Sequence, residues 1–193
     1  MSVAMKYSLS QGRPGALALG VLALMSMGGP AQADVPTLRS GPVFTSYGDT
    51  YPVDADVQIP ADAEFKVAFD VSEAARGGEV NRKFNSVARF INMHVAAGVP
   101  FDHIHIALVV HGAAGKELLD DAAYAKRESG AENANAPLIR ALLAKGVRVI
   151  LCGQSAAGMG LDKADLIPGV ELALSAMTAH ALLQQDGYTL NPS

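Results

Sequence analysis

The nucleophile and acid–base stock of this 193-residue chain is small: one cysteine, five histidines and a modest set of carboxylates. Cys152 is its only soft nucleophile. It closes the run Gly146-Val147-Arg148-Val149-Ile150-Leu151 and opens Gly153-Gln154-Ser155-Ala156-Ala157-Gly158. A short aliphatic, β-branched run of this kind reads as a buried strand. Ligands of open α/β sheets bind outside the carboxyl ends of the strands, so the thiol sits where such folds place chemistry. The thiolate is the reactive form, and its pKa falls where amides or a cation face it. The short residues after Cys152 let backbone amides approach a sulfur anion, which suits persulfide or thiol transfer. His111 ends the preceding strand at the same edge and is the candidate proton partner and nearby cation. Gly112, Gly153, Gln154 and Ser155 flank the pair as candidate binding residues. The competing reading is a packed, inert thiol.

Other constellations are weaker. His103 and His105 would share one strand face as a metal pair. His111 lies too far along the strand to join them, so no metal site is assigned. Gly153-Gln154-Ser155-Ala156-Ala157 approaches the nucleophile elbow of hydrolases, with Asp165 and His180 following in the hydrolase order. Its second glycine is Ala157, however, and His180 falls inside a helical pattern. The stretch 153–160 also lacks the Gly-Lys-Ser/Thr of a phosphate-binding loop. No cofactor is implied.

The elements that must position Cys152 and His111 follow from periodicity. Strands are expected at Phe65–Val71, Ile104–Val110, Val147–Cys152 and Val170–Ala176, all buried, with a last short one at Tyr188–Leu190. Asn81 should cap a helix to about Ala97, with Phe84, Val87, Ala88, Ile91 and Val95 on its apolar face. Helices are also expected from Lys116 to about Lys126, from Pro137 to Lys145, and from Thr178 to Gln185, with a helical turn at Leu161–Leu166. Residues 133–136 read as a polar break, and 153–160 as a loop. Alternating strands and helices imply βαβ units and a mainly parallel sheet with helices on both faces.

Residues 34–63 are rich in Pro, Gly and Asp and read as an extended arm, with short strand pieces at Val43-Phe44 and Val53. Such arms wander or pack on a neighbour. Ahead of it, Lys6 and Arg13, the apolar run Ala16–Met27 and Ala31-Gln32-Ala33 have the order of a secretory signal peptide, residues 1–33. The run is too short to span a bilayer. A mature, exported chain would begin near Asp34 and form one domain from 64 to 193. It would carry 13 basic against 19 acidic side chains. That acidic balance disfavours nucleic acid and anionic membrane surfaces as partners. A single cysteine forms no disulfide within the chain, and an unpaired thiol in an oxidising compartment calls for a role.

Several blocks together resemble the DsrE/DsrF-like family: Val109-Val110-His111-Gly112, Gly146-Val147, Leu151-Cys152-Gly153-Gln154-Ser155 and Leu183-Gln184-Gln185-Asp186-Gly187-Tyr188. Gly41-Pro42-Val43, Phe69-Asp70-Val71 and Ser175-Ala176-Met177 are similar to an exported branch of that family. The resemblance spans Gly41 to Pro192. It implies a three-layer α/β/α domain with a five-stranded, mostly parallel sheet, often in homo-oligomers. It also implies sulfur carried as a cysteine persulfide, with Cys152 at the carrier position and a donor or acceptor protein or small thiol as partner. Two departures stand out: the expected export, away from cytoplasmic relays, and the lack of a second cysteine. The alternative is a non-catalytic domain binding a small molecule or protein, with a structural cysteine.

Overall fold

The structure is a computed structural model that describes residues 36–191. The stretch read as a signal peptide lies outside them. Strands β1 (Phe65–Val71), β2 (Ile104–Val110), β3 (Arg148–Cys152), β4 (Glu171–Ala173) and β5 (Thr189–Asn191) form one sheet in the order β4-β3-β2-β1-β5. Every neighbouring pair is parallel. Parallel pairing puts all carboxyl ends on one edge, which therefore collects the residues that follow Val71, Val110 and Leu151.

The helices are α1 (Arg82–Ala96), α2 (Asp121–Arg127), α3 (Ala136–Ala144), α4 (Gly153–Met159) and α5 (Ala176–Gln185). Alternation along the strands sorts the core into two. Val67, Phe69, Val71, Ile106, Leu108, Val110, Val149 and Leu151 face α1 and α3 in the larger cluster, which holds Phe84, Ile91, Leu138 and Leu142. On the other face Ala68, Ala107, Val109 and Ile150 pack against Ala179 and Leu183 of α5. Small residues let that one helix lie close to the sheet.

The helix α1 starts as its sequence demands: the Asn81 side chain accepts from the Lys83 amide at 3.0 Å. Several expectations are corrected. The helix expected over 116–126 is instead a 3-10 stretch, Gly112–Leu118, and then α2. Asp120 interrupts them because its side chain caps α2, accepting from Ala123 N at 2.7 Å. The helical turn expected at 161–166 shrinks to a 3-10 turn, Lys163–Asp165. Only three residues of the fourth strand pair, and they lie at the exposed edge; Val170 alone before them is buried. His103 falls in a 3-10 turn before β2, and His105 is exposed on the strand. The loop expected over 153–160 is α4, beginning directly after the cysteine.

The arm holds no strand at 43–44 or 53. It closes on itself through an isolated Arg39–Thr50 bridge and packs on α1 of its own chain. Phe44 enters the core. Asn92, fully buried on α1, accepts from the amides of Val43 and Phe44 at 3.1 and 2.9 Å. Its Nδ2 faces the carbonyls of Phe44, Tyr47 and Gly48 at 2.9, 3.0 and 3.1 Å.

Candidate functional site

Cys152 ends β3 and stands at the N-cap of α4. Its closeness to the neighbouring strand has a backbone cause. A Cβ at Gly153 would lie 2.5 Å from the Ala173 carbonyl oxygen, so only glycine lets the chain turn into α4 this near β4. The thiol is buried, with 6% exposure. Burial pushes its pKa up, but contacts from the Ser155 hydroxyl and from the amides of Ser155, Ala176 and Gln154 outweigh it. The net effect holds the thiol below its ordinary range. The sulfur makes no capping hydrogen bond to the first turn of α4; the Ser155 hydroxyl and the amides together favour the anion.

Ser155 joins the two strand ends. The Gly112 amide donates to Ser155 Oγ at 3.0 Å, which leaves the hydroxyl proton free for the sulfur. Gln154 is directed elsewhere, its Nε2 donating to the Leu174 carbonyl at 3.3 Å. Gly153 contributes the close approach rather than a polar contact.

His111 lies one step past the Val110–Leu151 pair, so it stands beside Cys152 across adjacent strands. The expected shared edge is present. The expected source of thiolate stabilisation is not: the contacts that act on the thiol are Ser155 and the amides, while His111 has its Nε2 on Asp70. His111 Nε2 lies 3.1 Å from Asp70 Oδ2, and His180 Nε2 lies 2.7 Å from Asp70 Oδ1. Burial pushes the Asp70 carboxyl up, but the hydrogen bonds to His180 and His111 and their charge prevail and hold it below the usual carboxylate range. Asp70 thus stays ionised between two imidazoles.

The sequence assigns Asp70 no site role, and His180 enters it only in the hydrolase order. Two faint signals marked them. Asp70 is the one carboxylate in the apolar run of β1, and His180 interrupts the buried stripe of Ala179 and Leu183. Asp165, the acid of the hydrolase order, lies in the Lys163–Asp165 turn, and its carbonyl accepts the Asp120 amide. His180 is committed to Asp70 instead. Among the described residues, no group of three or more His, Cys, Asp or Glu is placed to hold a metal ion.

A buried network props the segment that follows β1. Glu117 Oε1 accepts from the Ala75 amide and Oε2 from Asn81 Nδ2, each at 2.7 Å. Burial pushes the Glu117 carboxyl up. Asn133 Nδ2 donates to the carbonyls of Glu117 and Leu119, so the polar break of the sequence is a buried brace.

A parallel α/β sheet with a buried, acidified thiol and a pair of imidazoles on one edge defines a single-cysteine α/β domain. The model of the DsrE/DsrF-like family matches residues 66–192, and the chain belongs to that family, which is associated with sulfur relay. Two solved structures are similar. One is the protein of unknown function MTH1491 from Methanobacterium thermoautotrophicum, at 19% identity over 66% of this chain and 98% of its own, with a TM-score of 0.47. The other is the ychN protein from E. coli, at 19% identity over 66% of this chain and all of its own (100%), with a TM-score of 0.46. No curated protein matches the chain. Among the described residues no helix is long and apolar enough to cross a membrane.

Proposed function

We propose that the protein is an exported sulfur- or thiol-handling protein in which Cys152 carries sulfur as a persulfide. The observation that carries this is the thiol's setting: at the end of a core strand, with the Ser155 hydroxyl and three amides drawing its pKa below the ordinary value. The same donors suit a terminal perthiolate, which is also an anion. The partner is a sulfur donor or acceptor protein or a small thiol. After polysulfide treatment, the intact mass of the folded protein should rise by about 32 Da, one sulfur, mapping to Cys152. Uptake only after unfolding would overturn the reading. That outcome would favour a binding domain with a packed cysteine, for which the 6% exposure of Cys152 speaks.

Export is supported by the order of charges, apolar run and Ala31-Gln32-Ala33 at the N-terminus. N-terminal sequencing of protein from the native cell should begin near Asp34; a chain retaining Met1 would overturn it. Self-association is supported by the exposed Leu174, Met177 and Leu182 around the start and outer face of α5. Light scattering on the same preparation should give a mass above that of one chain, and a monomer would remove this part.

A further inference from the structure

Across the sheet, β3, β2 and β1 are consecutive, and at their carboxyl ends stand Cys152, His111 and Asp70. All three fall on the face that carries Ile150, Val109 and Ala68, under α5. His180 comes down from α5 onto the same carboxylate. Each imidazole spends Nε2 on its own oxygen of Asp70, so in each ring Nδ1 is the nitrogen left for other work. The two rings differ in reach. The His111 side chain is 32% exposed, whereas that of His180 is 17% exposed with its Nδ1 buried and unpartnered. Of the two, His111 is the ring open to a substrate on the edge it shares with Cys152, and His180 is the one enclosed behind Asp70. A carboxylate behind an imidazole fixes its tautomer and steadies its charged form, the division of labour of a nucleophile–His–Asp row.

We propose that His111, oriented by Asp70 and His180, is the acid that protonates the leaving thiolate when Cys152 accepts sulfur from an alkyl persulfide. This rests on Cys152 being a sulfur acceptor. The Cys152 thiolate attacks the outer sulfur of R–S–SH. A bond forms between Sγ and that sulfur, the R–S to sulfur bond breaks, and its electron pair leaves with R–S⁻. The His111 imidazolium gives its Nδ1 proton to R–S⁻, making R–SH, and keeps Nε2–H on Asp70. The sulfane sulfur changes owner without any external oxidant or reductant, and water returns the proton to His111 afterwards. An alkyl thiolate is a poor leaving group, with a conjugate acid near pKa ~8.5, so it needs this proton. An aryl thiolate is far less basic and does not. Asp70 and His180 are positioning residues in this scheme, and Asp70 being ionised suits that role.

The test compares cysteine persulfide with an aryl persulfide generated in situ as donors to the full chain. Transfer to Cys152 is followed by rapid-quench mass spectrometry in the native protein and in His111→Gln, Asp70→Asn and His180→Gln. Each rate is divided by that variant's own rate with iodoacetamide, whose iodide leaves without a proton. Loss of general acid catalysis should slow the alkyl donor about 100-fold in His111→Gln, less in the two positioning variants, and leave the aryl donor within a few-fold. Equal slowing with both donors, or no slowing with the alkyl donor, would overturn this proposal alone. If the native protein alkylates at Cys152 but takes sulfur from neither donor, the carrier reading falls with it.

Discussion

An Asn92→Ala chain should melt about 10 °C below the unaltered protein, a loss on the order of 3 kcal/mol or more for a domain of this size. The cause is the number of backbone groups that one buried amide serves. Two arm amides donate to Asn92 Oδ1, and three arm carbonyls lie within hydrogen-bond distance of Nδ2. Alanine leaves most of them buried and unpaired, which costs more than a bond merely forgone. The contact is tight from the other side as well. A Cβ at Gly41 would fall 1.8 Å from Asn92 Cγ, so Gly41→Ala should release the same segment. Because the two residues form one contact, the double variant should lose much less than the sum of the singles. Thermal unfolding checks the magnitude, and limited proteolysis within residues 40–50 checks the site. A melting point within a degree or two of the original would show that the arm contributes little to the fold.

Ser155→Ala should make the folded protein about tenfold slower toward a thiol probe at pH values below the thiol's titration. One hydrogen bond to an anion is worth roughly 1.5 kcal/mol, about one decade in the thiolate fraction. The sign follows from the contacts. Burial raises the Cys152 pKa, and the Ser155 hydroxyl is the strongest of the contacts opposing it. Removing that contact moves the titration upward, so the labelling profile shifts to higher pH while its plateau changes little. Gly112 N also loses its acceptor, so a small drop in stability should accompany the shift. Rate against pH with a neutral alkylating probe decides the matter. A profile identical to that of the native chain would mean that the amides alone set the thiol, and that the Gly112–Ser155 link is only a brace.

The strands that lead to the site were legible because their causes are local. Phe65–Val71 and Ile104–Val110 are apolar runs with polar or Gly-containing stretches after them, and the structure has both to the residue. Asn81 was legible as a cap for the same reason. Misreadings fell where a distant contact decides. Residues 153–160 look like a loop by their Gly and Ser content, yet Gly153 is there for the approach to the Ala173 carbonyl, and the rest coils as α4. The apolar content of 170–176 suggested a buried strand, but the chain leaves the sheet after Ala173, and Leu174 is exposed. Cys152 and His111 could be placed on one edge from the pattern alone. The carboxylate between the imidazoles could not, since Asp70 and His180 lie 110 positions apart and meet only through packing.

The covering of the second sheet face by α5 ties that helix to the chemistry at two points. Its first residue supplies the Ala176 amide to the Cys152 sulfur, and one turn on, His180 holds Asp70. It rests on Ala68, Ala107, Val109 and Ile150 through Ala179 and Leu183. Met177 and Leu182 stand exposed on the same helix, so one ten-residue element carries both an apolar outer surface and part of the thiol's surroundings.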